Sequence, residues 1–437
     1  MLVPVHGPDR AASLRRTTEG APVDRLVLDP TGRDRDAETA ELHARGPATP
    51  VDILGVKAWA VADPDLLEEL LKDPRVSKDG RRHWPELPEI SAGWPLALWV
   101  TVRSMFTAHG ADHRRLRRLV GTAFTARRIN ELAGRVEELT EALLDDLAAT
   151  PPGTPVDLRE RLAYPLPIQV IAQLLGLPLE LTDRFRAHVD GAFDTTLTPA
   201  ESEANAVAFY GMVGELIAAK RREPGDDLTS ALIAACESGA GDGVDSGADG
   251  GDAGLSEQEL LDTLLLVVSA GYETTVNLID NGIANLLTHP DQLALVREGK
   301  VGWEDVVEET LRRDAPVAHL PLRYAVEDIE LPGGVTVRRG EAILASYAAA
   351  GRHPSRHTDG AVFDLTRVDK DHLAFGHGVH FCLGAPLGRL EGRTALSRLF
   401  ERFPDLVLAP DAELRPVESL ISNGHRTLPV LLHGPRA

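Results

Sequence analysis

Residues 256–288 constrain this chain more than any other segment. Ser256-Glu257-Gln258-Glu259 forms a capping box, with Ser at the N-cap and Glu at N3. Nothing breaks the helix it starts before Pro290. At about 1.5 Å per residue, roughly 33 residues make a rod of about 50 Å. Its first half is apolar almost all round, which predicts a buried helix rather than an amphipathic surface one. It does not read as a membrane span. No apolar run approaches the roughly 18 residues required, and Leu264–Gly271 is soon followed by Glu273. A long buried helix needs one large helical body around it.

The flanking patterns supply that body. Alternation over Val51–Val61 predicts a small hairpin, and Pro64–Asp73 a helix. Lys78–Val102 holds Trp84, Trp94 and Trp99, several prolines and little periodicity, so it reads as a long irregular loop. Such loops are usually functional, although burying three tryptophans would be reason enough for this one. Asp112–Ala219 is mostly helical, with clear apolar repeats over Arg135–Ala148 and Leu162–Leu175. Pro224-Gly225-Asp226-Asp227 interrupts it, and Leu228–Cys236 resumes it. Asp291–Arg313 is helical again. Tyr324–Ile343 alternates around a turn at Pro332–Gly334 and predicts β-structure, and Gly384–Phe403 predicts a final helix. The expected fold class is mainly α with a small β part, in a single domain over residues 1–437. Residues 1–50 form a leading arm, and the Gly/Asp-rich stretch Glu237–Gly254 is expected to be a mobile linker within the domain.

Composition narrows the function. With 43% hydrophobic residues the chain can bury a large core. Lys and Arg number 46 against 67 Asp and Glu, a formal charge of 46 − 67 = −21, which argues against general nucleic-acid binding. The only cysteines, Cys236 and Cys382, make a disulfide framework or a multi-thiolate zinc site an unlikely reading. Met1–Arg10 lacks a basic segment followed by an apolar one, so no signal peptide is predicted and a cytoplasmic setting is expected.

The residues that point to chemistry lie in Ala374-Phe375-Gly376-His377-Gly378-Val379-His380-Phe381-Cys382-Leu383-Gly384. A cysteine sits in a Gly-rich turn just before a helix, where N-terminal N–H groups favour a thiolate. The glycines permit tight turns and close approach to a flat ligand. A lone Cys is more often a buried inert thiol, but here it stands in a full pattern. Phe-Gly-x-Gly-x-His-x-Cys-x-Gly followed by a helix resembles the haem-binding loop of the cytochrome P-450 superfamily.

Three separate segments extend the resemblance over roughly Val51 to His433. Glu309-Thr310-Leu311-Arg312 places Glu and Arg on one helix face. Alone it would be an ordinary surface pair. In the family it locks the core beneath the haem together with an arginine of the following meander, here Arg367 in Phe363-Asp364-Leu365-Thr366-Arg367. Ala270-Gly271-Tyr272-Glu273-Thr274-Thr275 puts polar groups into an apolar helix, which is costly unless they are paired. Thr274 could simply bond back to a carbonyl and bend the helix. The resemblance implies instead that Ala270 and Gly271 lie against haem and dioxygen, and that Glu273 and Thr274 are the acid–alcohol pair that delivers protons. Tyr272 departs from the usual residue and bears on pocket size. His113-Arg114-Arg115-Leu116-Arg117-Arg118 could be a solvated basic face, but the family's corresponding His and Arg, here His113 and Arg117, bind haem propionates. Arg323 and His380 match two further propionate ligands, and Phe375 and Gly384 flank the iron ligand Cys382. Departures include Ala350-Gly351-Arg352-His353, and Gly388 in place of a common Ala.

The resemblance therefore implies a haem-thiolate monooxygenase carrying haem b with iron held axially by Cys382. Its electrons would come from a ferredoxin and ferredoxin reductase, since no flavin or iron–sulfur motif is present. Arg114, Arg118, Arg389 and Arg393 are candidates for a basic docking face. The soluble bacterial members it most resembles act on macrolides, steroids and other secondary metabolites, so an apolar small-molecule substrate is expected, with no nucleic acid, no membrane and a monomeric state. Substrate contacts are expected from the loop 84–106, from residues 185–212, and from Val267–Tyr272, Val317–Leu320 and Leu420–Ser422. His319, Tyr272 and Ser422 are candidates to orient a polar group. Oxidative coupling, peroxide-driven oxidation and a non-catalytic haem partner are the alternatives. The intact acid–alcohol pair argues against the last two.

Overall fold

The structure is a computed structural model and describes residues 24–91, 93–239 and 254–434. Its axis is the helix Glu257–Thr288. The capping box forms: the Ser256 hydroxyl accepts the Glu259 N–H at 3.2 Å, and the Glu259 carboxylate accepts the Ser256 N–H at 2.9 Å. Helices Pro165–Leu175, Pro199–Arg222, Trp303–Arg313 and Ala385–Arg402 pack around it. Two glycines set its crossing with the last of these. Gly282 receives Leu396, and Gly392 receives Leu278, where an added Cβ would come within 2.8 and 2.9 Å respectively.

To one side lies a six-stranded mixed sheet, in the order Leu26–Val27, Ala48–Ile53, Val56–Val61, Ala342–Ser346, His319–Ala325, Val76–Ser77. The expected hairpin is the antiparallel pair Ala48–Ile53 and Val56–Val61. The larger apolar core runs through the helices from Leu28 to Leu432, and a smaller one backs the sheet. The architecture is mainly α with a small β part, as expected. Among the described residues no helix is long and apolar enough to cross a membrane.

Three readings change. Lys78–Val102 is not simply irregular, for it carries short helices at Gly80–His83, Leu87–Ile90 and Ala97–Thr101. Its tryptophans are buried with their N–H groups or rings engaged. Trp84 stacks on Tyr324, Trp94 Nε1 donates to the Ile53 carbonyl, and Trp99 Nε1 to that of Ala192. Asp291–Arg313 divides into two helices, Pro290–Arg297 and Trp303–Arg313. Glu237 to Gly239 end the helix Leu228–Gly239 rather than belonging to a linker; residues 240–253, like the arm's first 23, lie outside the described residues.

The Glu309–Arg312 pair is fully buried and bidentate, with Nε and Nη2 each 2.7 Å from a carboxylate oxygen. Arg312 also donates to the carbonyls of Gly351 and Gly360 at 2.8 Å and of Val362 at 3.1 Å. Arg367 Nε lies 3.5 Å from Glu309. Gly351, where the resemblance led us to expect a different residue, has a structural reason: a Cβ there would run into the Arg312 carbonyl.

Candidate active site

A cavity of about 1540 Å³ lies between the central helix and the cysteine loop. The loop is shaped by its backbone. The Cys382 N–H donates to the Phe375 carbonyl at 2.9 Å, and Gly376 and Gly378 both adopt φ 69°. Gly378 is doubly required, since a Cβ there would also come 2.6 Å from the Leu71 carbonyl. Cys382 lies deep in the protein, yet its side chain is uncovered because it faces the cavity. Burial pushes its thiol pKa up. The N–H groups of Gly384 and Ala385, at the start of helix Ala385–Arg402, and the nearby Arg117 and Arg389 pull it back towards thiolate.

Opposite the loop, Ala270, Gly271 and Thr274 line the cavity from an otherwise buried helix. The Thr274 hydroxyl donates to the Ala270 carbonyl at 2.8 Å, the back-bonding that bends a helix. Gly271 also serves packing, since a Cβ there would strike Ile171.

The cavity is also bordered by a cluster of basic side chains. Arg117, Arg323 and His380 line it, and the His113 ring lies against that of His380, tilted by 49° with centroids 4.2 Å apart. Lys78, which sequence reasoning missed, joins them: buried, 3.5 Å from the Pro321 carbonyl, with its ammonium 3.6 Å from the centroid of Phe106. Only a lysine at the head of an apolar loop marked it in the sequence. Among the described residues no carboxylate pairs with any of these five groups. His113 Nε2 and Arg323 Nη1 are buried without a hydrogen-bond partner. Burial and then mutual repulsion hold His113 down to about 4 and push His380 and Lys78 far below their ordinary values. Basic groups gathered in this way, two of them with buried unpartnered nitrogens, fit an anionic partner such as the two propionates of a haem.

All five expected substrate segments reach the cavity, through Trp99 and Phe106, Phe193, Val267, Val317 with Leu320, and Ile421. The three residues expected to orient a polar group do not line it. Tyr272 is 0% exposed and turned away, stacked on Tyr164 at 5.7 Å, so it does not alter the pocket at the iron side. His319 is held by Glu38 at 2.8 Å and Ser346 at 3.0 Å. Ser422 lies on a second, polar cavity of about 630 Å³, together with Asp190, Tyr164 and Glu273. Glu273 thus lies behind Thr274, not beside it in the main cavity. Burial raises its pKa against the pull of Arg159. Glu391, also missed, lines the main cavity with both oxygens unpartnered, and burial pushes it up to about 8, so it is a neutral acid at pH 7. Of the proposed docking arginines, Arg389 is held by Glu308 at 2.6 and 2.9 Å and Arg393 by Glu304 at 2.9 Å, so these two do not present free charge.

Known proteins resemble this chain along nearly its whole length. The cytochrome P-450 family model matches residues 303–424. The 2-hydroxy-5-methyl-1-naphthoate 7-hydroxylase of Streptomyces carzinostaticus is 41% identical over 94% of this chain and 98% of its own. The cytochrome P-450 monooxygenase PikC of Streptomyces venezuelae is 39% identical over 95% and 97%. The solved structure of CYP154A1 from Streptomyces coelicolor superposes with a TM-score of 0.89 at 60% identity, covering 93% of this chain and all of that one. A thiol and a nest of cations facing one helix-walled cavity, with such identity along nearly the whole length, make this chain a monooxygenase of the cytochrome P-450 family.

Proposed function

We propose that the chain, acting as one domain, binds haem b with Cys382 as axial ligand and hydroxylates an apolar secondary metabolite of macrolide, steroid or polycyclic aromatic size. The observation that carries this is the Cys382 thiol opening onto a cavity that basic side chains border and that apolar side chains such as Trp99, Phe106, Val267 and Ile421 largely wall. The naphthoate hydroxylase and PikC support a secondary-metabolite substrate. When bound, the haem supplies dioxygen activation, and a thiolate ligand favours O–O cleavage. The chain's own residues do the rest. Arg117, Arg323, His113, His380 and Lys78 would hold the propionates. The apolar wall excludes water and orients the substrate. Glu273, reached from solvent through the polar cavity, gives a proton towards Thr274 and takes up another from water on its own side. Electrons come from a ferredoxin and its reductase, with Arg114 a candidate for the docking face.

Titrating the holoenzyme with macrolide, steroid and polycyclic aromatic panels should shift its Soret band for at least one apolar class; no shift with any of them would refute the substrate assignment. Thr274→Ala should keep haem and ligand binding but release reducing equivalents as peroxide, and Thr274→Ser should restore coupling. Arg323→Ala should weaken haem retention about ten- to hundred-fold, as expected for one charge-assisted contact, measured by haem transfer to apomyoglobin.

A further inference from the structure

Behind Glu273 the central helix carries a polar stripe that holds more charge than the residue's own role requires. Arg159, fully buried on the π-turn Arg159–Ala163, stands between two carboxylates of that helix. Its Nη2 lies 3.4 Å from Glu273 Oε1 and its Nη1 3.3 Å from Asp280 Oδ2. His425 closes the line from the C-terminal segment, with Nδ1 2.9 Å and its backbone N–H 2.7 Å from the same Asp280 oxygen. Asn277 braces the middle, accepting from Arg159 at 2.9 Å and donating to Glu273 at 3.1 Å. Gly424 lets the segment come against Asn277, where a Cβ would collide with its side chain.

The charge count decides what this line does. With all four groups ionised, two negative charges meet two positive ones. With His425 neutral, one guanidinium serves two buried carboxylates and a net negative charge remains in a poorly solvated place. Glu273 is the group positioned to relieve it by keeping its proton. Each carboxylate has one oxygen without a partner, but Glu273 borders the polar cavity, whereas Asp280 does not and its Oδ2 keeps two hydrogen bonds from His425. We infer that His425 is a positioning residue that sets the proton affinity of Glu273 through Asp280 and Arg159. This rests on Glu273 being the proton-delivering acid. Burial would lower the His425 pKa, but the Asp280 carboxylate outweighs it and holds the group above its ordinary value.

Other groups that face the line are the same in every variant, and Asp190, which burial and Glu273 push up to about 7, gives a band of its own that Glu273→Gln does not remove. Asp190 of helix Thr182–Phe193, Tyr164, Tyr272 and Ser422 face Glu273, and Arg186 faces Asp190 and Tyr272. Asp314, itself held by Arg352 and Arg313, faces His425. Glu418 and Arg426 lie across the polar cavity.

The measurement is pH-difference infrared spectroscopy of the purified holoenzyme in the carbonyl-stretch region of protonated carboxyls. The band lost in Glu273→Gln reports Glu273. In His425→Gln its midpoint should rise by about one pH unit, because Arg159 stays shared. In Asp280→Asn it should fall by about as much, because Arg159 is freed for Glu273. His425→Lys, which keeps a cation in place, should stay near the wild-type midpoint and covers the case in which the glutamine variant does not fold. Opposite shifts in the two variants exclude general loosening, which would move both alike. An unmoved midpoint in His425→Gln, a shift of the same sign in both variants, or no band sensitive to Glu273→Gln would overturn the inference. If the midpoints move as expected while Glu273→Gln leaves product coupling intact, the His425 linkage stands and the proton-delivery reading of Glu273 falls.

Discussion

Replacing Cys382 by alanine is expected to abolish the long-wavelength Soret band of the reduced, carbon-monoxide-bound protein, and essentially all monooxygenase turnover with it. Cys382 holds its loop through the backbone, its N–H bonded to the Phe375 carbonyl, and the turn is set by Gly376 and Gly378 at positive φ. Removing Sγ therefore takes away the ligand while leaving the loop's own hydrogen bonds, and far-ultraviolet circular dichroism should be unchanged. The N–H groups of Gly384 and Ala385, with Arg117 and Arg389, lower the cost of thiolate at this position. Alanine leaves them facing nothing, so no neighbouring donor replaces the sulfur. A wild-type spectrum typical of histidine ligation, or a band that survives in the variant, would remove Cys382 from the iron and the haem-thiolate chemistry from this protein.

The largest loss of stability is expected from Arg312→Ala, about 3–5 kcal/mol, because it strands a buried carboxylate. Glu309 and Arg312 are both 0% exposed. Beyond the bidentate pair, Arg312 satisfies three carbonyls of the segment 351–362, and Glu309 accepts the Asp364 N–H at 2.9 Å. One side chain thus fastens helix Trp303–Arg313 to the meander leading towards the cysteine loop. Arg312→Lys keeps the charge but cannot reproduce the fork, so it should recover only part of the loss. Glu309→Gln should cost less than Arg312→Ala if the arginine's carbonyl bonds carry much of the effect. Urea denaturation of the holoenzyme checks all three. A loss below about 1 kcal/mol in Arg312→Ala would place this pair among ordinary exposed ion pairs.

Much of the fold was legible because its signals are local. The Ser256–Glu259 capping box, Pro290 and the apolar run between them delimit one helix whatever surrounds it, and the helix observed is Glu257–Thr288. The alternation of Val51–Val61 needs only a pleat to be read. The cysteine loop was legible for a similar reason: its glycines and its Cys act through backbone geometry within eleven residues. What failed depended on neighbours. Tyr272 was read towards the pocket from its place in Val267–Tyr272, but one helical step is about 100°, and the structure turns it onto Tyr164. His319 was assigned to the substrate because it falls in Val317–Leu320; Glu38, 281 residues away in sequence, holds it instead. Lys78 carried no motif, and only packing puts it among the other cations.

The sequence by itself determined which residues form the long helix and the cysteine turn, because capping, periodicity and positive-φ glycines are settled by residues within a few positions of one another. Only the tertiary structure decided which charges meet. Arg159 finds Glu273 and Asp280, and His425 finds Asp280, across 114 to 145 residues of chain. A buried charge is stable only beside its partner, and that partner is chosen by how helices cross, which spacing along one of them does not encode.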